Sequence, residues 1–129
     1  MSVIKLTALS AVTANATSNL LWIGDFKRVA IRFSRDNNGA GGSSNFLVVG
    51  GLGQFPSDSP TMVAYNMLID NVANVTANGI TRVGTKAIDN ATTNVMLWLS
   101  PECIPTHLQV AVQEGTDGTH SADVFGYLD

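Results

Sequence analysis

Side chains along most of this chain alternate between apolar and polar, the period-two signature of strands with one dry and one wet face. From Arg28 to Ser34 the alternation puts Val29, Ile31 and Phe33 on one face and the arginines on the other. Val63, Tyr65, Met67 and Ile69 alternate with Ala64, Asn66, Leu68 and Asp70, and Leu108, Val110 and Val112 alternate with Gln109, Ala111 and Gln113. Two runs, Phe46 to Val49 and Val95 to Leu99, are apolar on both faces. Such runs predict strands covered on each side by a second sheet or by a neighbouring subunit. Helical spacing is largely absent.

Turn-forming clusters punctuate these runs at Asp36 to Ser44, Gly50-Gly51 with Gly53, Pro56 to Pro60, Asn78-Gly79, Asp89-Asn90, Pro101 to Pro105 and Gly115 to Thr119. Asn78-Gly79 is a type I′ hairpin signal, and Asp36 to Ser44 reads as a long, glycine-rich connection. The pattern predicts eight strands, at 3–9, 19–23, 27–35, 45–50, 62–70, 80–87, 93–100 and 106–114, and leaves room for a ninth at 122–128. Eight short antiparallel strands with unequal loops fit an all-β jelly roll, or a related Greek-key β-sandwich, as one domain spanning 1–129.

Composition changes the picture in one respect. Apolar residues make up 45% of the 129 residues and charged residues only 13%, about half the usual share. Threonine, serine, asparagine and glycine must cover much of the outside, which suits a surface partly buried against other subunits and predicts a homo-oligomer. A net charge of −3 offers no attraction for nucleic acid or anionic lipid. Within the basic cluster Lys27, Arg28, Arg32 and Arg35, the even spacing of Arg28 and Arg32 reads as one solvated strand face. No stretch approaches the ~20 apolar residues of a membrane helix. Lys5, the short run to Val12 and Ala14-Asn15-Ala16 imitate a secretory leader poorly, so a cytosolically made chain is expected.

Candidate chemistry is sparse. Cys103, the single cysteine, excludes an intrachain disulfide and reads as a small buried residue. Asp117, His120 and Asp123 lie close in sequence but match no calcium loop, so the segment reads as an Asp-Gly hairpin turn. His107 has no second ligand at metal spacing and reads as a strand-end residue. Gly50-Gly51-Leu52-Gly53 is followed by no helix that could cradle a phosphate and reads as a flexible loop. Glu102 and Glu114 sit in separate segments, and no nucleophile signature is present. Trp22 and Trp98, flanked by apolar residues, read as core or interface rather than as a sugar platform. The triplets beginning at Asn15, Asn74 and Asn90 match the glycosylation pattern, without a leader to give them meaning. No catalytic, cofactor-binding or metal-ligating residue is assigned.

Five segments in order carry a family likeness: Thr7 to Ala14, Lys27 to Phe33, Asn78 to Thr85, Val95-Met96-Leu97-Trp98-Leu99, and Leu108-Gln109-Val110-Ala111-Val112. In this order the chain resembles the small β-sandwich proteins, encoded among bacteriophage head genes, that coat or cement the capsid lattice. The resemblance implies a non-enzymatic decoration protein, commonly trimeric, bound to the major capsid protein where capsid subunits meet. It implies residence in a virion assembled in the host cytoplasm, with no cofactor. Residues 2–12 and the 36–44 loop are the segments expected to reach a neighbour. Two other readings stand beside it: a carbohydrate- or receptor-binding module of a phage tail or spike, and a cupin-like enzyme. The last is disfavoured because His107 and His120 lie far apart in sequence.

Overall fold

A computed structural model describes residues 2–36, 42–70, 82–89, 93–115 and 117–129. Those residues form β1 (Val3–Val12), β2 (Ala16–Thr17), β3 (Leu21–Trp22), β4 (Arg28–Asp36), β5 (Ser43–Gly51) and β6 (Val63–Ala64). They continue with β7 (Leu68–Asp70), β8 (Arg82–Val83), β9 (Thr85–Asp89), β10 (Thr93–Leu99), β11 (His107–Glu114) and β12 (Thr119–Tyr127). All pairings are antiparallel, and the described residues contain no helix.

The front sheet has the order β1-β12-β4-β10-β7-β8. In the back sheet β11 pairs with β2 and β3 on one side and with β5 on the other, and β5 pairs in turn with β6 and β9. Taking β2 with β3 as one interrupted strand, and β6 to β8 as an excursion, leaves eight strands. The first lies beside the eighth, the eighth beside the third and the third beside the sixth; opposite them the second, seventh, fourth and fifth line up. That order is the jelly roll.

Alternation explains the interior. Val29, Ile31 and Phe33 of β4 meet Phe46 and Val48 of β5 and Leu108, Val110 and Val112 of β11, all fully buried or nearly so. Phe33 and Phe46 stack with ring centroids 4.9 Å apart, joining the two sheets. Each such side chain contributes about 1.5–3 kcal/mol relative to exposure.

Five expectations are corrected. The strand expected over 80–87 divides, among the described residues, into β8 in the front sheet and β9 in the back. The strand expected over 62–70 is two strands in different sheets: β6 pairs with β5, and β7 pairs with β10. The chain crosses between the layers at Tyr65, whose N–H still donates to Val48 O while its hydroxyl accepts from Ser100 N–H at 2.9 Å. Single-face alternation therefore fails there, and the buried residues are Tyr65, Leu68 and Asp70. The ninth strand begins at Thr119 and is central, pairing with both β1 and β4. Gly50 and Gly51 end β5 rather than starting a loop: a Cβ on Gly50 would lie 2.9 Å from Pro105, and one on Gly51 2.6 Å from Met62 Sδ. Cys103 is exposed, in the turn after β10. The Asn78-Gly79 hairpin, residues 37–41 of the glycine-rich connection, and the triplets at Asn74 and Asn90 lie outside the described residues.

Candidate functional site

Arg35 continues the inward row of Val29, Ile31 and Phe33 and is fully buried, whereas Arg28 and Arg32 of the same basic cluster lie on the outer face. Ser44, in phase with Phe46 and Val48, and His120, in phase with Ala122 and Val124, are buried beside it. Arg35 Nε donates to Ser44 Oγ at 3.3 Å, and Arg35 Nη2 donates to the Asp117 carbonyl at 2.8 Å. Ser44 Oγ lies 2.8 Å from His120 Nε2, and His120 Nδ1 lies 3.1 Å from Val12 O. A carbonyl can only accept, so Nδ1 carries the imidazole proton and Nε2 accepts from the serine. A bulge in β1, with Ala11 at φ 49°, brings the Val12 carbonyl to this position.

Ser44, His120 and Glu114 thus occupy the order of a nucleophile, base and acid. Glu114 Oε2 is 3.7 Å from Nδ1, beyond hydrogen-bond reach, because the backbone carbonyl holds that nitrogen instead. Ser44 is 1% exposed, so the hydroxyl meets Arg35 and His120 rather than a substrate. The cluster ties β1, β4, β5 and β12 together at one end of the sandwich.

The other sequence candidates separate. Asp117 is exposed in the β11–β12 turn, and Asp123 lies on the outer front face, where Arg32 Nη2 bonds it at 2.6 Å. His120 points between the sheets, so the three do not converge, and the described residues hold no group of three metal-binding side chains. His107 has outer-face parity but is fully buried, because the loop after β5 folds over it: its ring lies 2.9 Å from Thr106 Oγ1 and 3.4 Å from Pro56 O. Asp58 accepts the Gln54 and Phe55 N–H groups in that loop, and these backbone bonds, Phe55 first, hold its carboxyl below the usual range. Trp22 is half-buried, edge-on to His107 at 5.1 Å, with its indole N–H on Asp25. A groove of about 510 Å³, lined by Leu52, Val63, Tyr65, Ile104 and Pro105, opens beside β6. Burial, then the Cys103 thiol 3.7 Å away, pushes the Tyr65 phenol well above its usual range.

The two outer faces differ in character. On the back sheet, outward positions are Thr17, Asn45, Leu47, Val49, Ala64, Thr85, Ala87, Gln109, Ala111 and Gln113, following the register of β2, β5, β6, β9 and β11. None of these carries a charge, while Asp89, paired with Ser43, takes the same parity at the end of β9. A shallow hollow of about 450 Å³ lies over it, with Leu47, Ala111 and Gln113 in its lining. The front face instead presents Trp98, Phe125 and Tyr127 among arginines. Sequence alternation located both rows, but only the strand order shows which rows lie side by side.

No family model matches the chain, and a search of curated proteins finds no match. Among solved structures it is similar to the SPBc2 prophage-derived protein YomS, with a TM-score of 0.66 at 10% identity over 96% of this chain and 92% of that one. The likeness is one of fold, and it extends almost end to end.

Proposed function

We propose that this chain is a non-catalytic structural protein of a phage particle, a decoration or cement protein that assembles as a homo-oligomer, with a trimer favoured, and binds the major capsid protein between capsomers. The observation that carries the proposal is the outer face of the back sheet, whose central row, Thr17, Ala111, Leu47 and Thr85, carries no charge. A sheet face of small neutral side chains can meet a like face or a lattice without stranding a charge, and each docked copy loses little side-chain entropy. Half-exposed Leu47 and Val49 on that face belong to a run that is apolar on both sides, as a strand covered by a neighbour is. The end-to-end likeness to a prophage-derived protein supports a phage setting.

A second reading, a glycan- or receptor-binding module, draws on Trp98 and Tyr127, which lie on the outer front face with centroids 5.5 Å apart. Against it, the Arg28 guanidinium already occupies the Tyr127 ring at 4.7 Å, where a neutral sugar would stack. The test is addition of the purified chain to capsids that lack it. Occupied, symmetric lattice positions and a raised disruption temperature are expected; absence of lattice density would remove the capsid assignment.

A further inference from the structure

Strand register gathers charge onto one face that the sequence scatters. Across the front sheet a single row runs Lys5, Phe125, Ala30, Trp98, Ile69, Arg82. With neighbouring strands ~4.8 Å apart, this row spans roughly 24 Å. It has a cation at each end and apolar groups between. The flanking rows add Tyr127 beside Arg28 on one side, and Asp123, Arg32 and Met96 on the other. Trp98 and Tyr127 approach each other across β4, over the fully buried Ala30. Arg28 lies over Tyr127, and Arg32 lies 5.3 Å from the Phe125 centroid. Met96 is 41% exposed, and a hollow of about 250 Å³ opens between Arg28, Ile69, Trp98 and Pro101.

The face therefore holds four of the seven cations and two of the ten carboxylates, Asp123 and, at its far end, Asp36. It has two positive charges in excess on a chain of net −3, so the remainder has five negative charges in excess. Aromatic anchors, arginines and an apolar centre inside a charged rim are the anatomy of a protein-binding patch. Guanidinium groups already resting on ring faces lose little freedom when a carboxylate arrives.

We infer that the outer front face is a docking site for an acidic surface on a different protein, one that sets apolar side chains on Trp98 and Phe125 and carboxylates on Arg28, Lys5 and Arg82, Arg32 being already paired with Asp123. Nucleic acid fits less well because the centre of the face is apolar and its cations are not aligned along a track for a phosphate backbone. A second copy also fits less well, since its own carboxylates are dispersed. Asp25 and Glu102 are at the end of the sandwich where β4 begins, and Asp36 and Asp117 are at the end where it finishes. This inference stands apart from the capsid proposal, which uses the opposite face.

The experiment is fluorescence anisotropy of the full chain with a labelled ten-residue peptide of eight glutamates around two phenylalanines. Its lysine counterpart, a ten-nucleotide oligothymidylate and maltoheptaose serve as competitors. Saturable binding is expected, weakening as salt rises. It should fall at least fivefold in Arg28→Ala and in Trp98→Ala, and stay within twofold of wild type in Lys27→Ala and in Ala111→Lys on the other face. Circular dichroism confirms folding of each variant, and Arg28→Glu supplies the test should Trp98→Ala not fold. The inference is overturned by no saturable binding, by equal loss in Lys27→Ala, by stronger competition from the oligothymidylate or maltoheptaose, or by self-association that Arg28→Glu abolishes.

Discussion

Arg35, Ser44, Glu114 and His120 each extend an inward apolar row by one more position, and together they turn one end of the core polar. Arg35 is the centre of that cluster, since its guanidinium donates both to Ser44 and to the Asp117 carbonyl. Arg35→Ala would open a cavity and leave those acceptors without their donor, so a loss of about 3–4 kcal/mol in urea unfolding is expected. Tyr65 gives a second test at this scale. Its folded phenol titrates above the unfolded one, which ionises near pH 10. The folded state then holds a proton that the unfolded state releases, so stability present below pH ~10 declines as pH rises beyond it. Urea midpoints at pH 9 and pH 11 should fall more for wild type than for Tyr65→Phe. The buried arginine was readable in principle from its phase with Val29, Ile31 and Phe33. The charge itself argued the other way, and only the partners across the sheets, distant in sequence, make its burial tolerable.

Among the elements, the long strands were legible because burial on one face imposes period two over seven or more residues, as in β4 and β11, or because the run is apolar on both faces, as in β10. The short ones were not. β2 is two residues long, and β6 and β7 belong to different layers, so no single periodicity covers them. The end of β12 illustrates how local fit fixes an element's position. A Cβ on Gly126 would lie 2.2 Å from the Phe26 ring, which packs where that side chain would stand. Gly126→Ala should displace Phe26 and cost about 1–3 kcal/mol, measured by chemical denaturation, with the β-sheet circular-dichroism spectrum retained.

At the scale of the whole molecule, two sheets share one interior yet expose different exteriors, one with an uncharged centre and the other aromatic and cationic. The low charge content pointed to neighbours without saying where. Strand order supplies the place, because residues far apart in sequence, such as Lys5, Phe125 and Trp98, become adjacent only once β1, β12, β4 and β10 are laid in sequence across the front sheet. The most direct measurement is the mass of the full chain by sedimentation equilibrium at micromolar concentration, for wild type and for Ala111→Lys. Three copies for wild type and one for the variant, with the fold unchanged, are the outcome predicted. A wild-type monomer across that range would contradict assembly through the outer face of the back sheet.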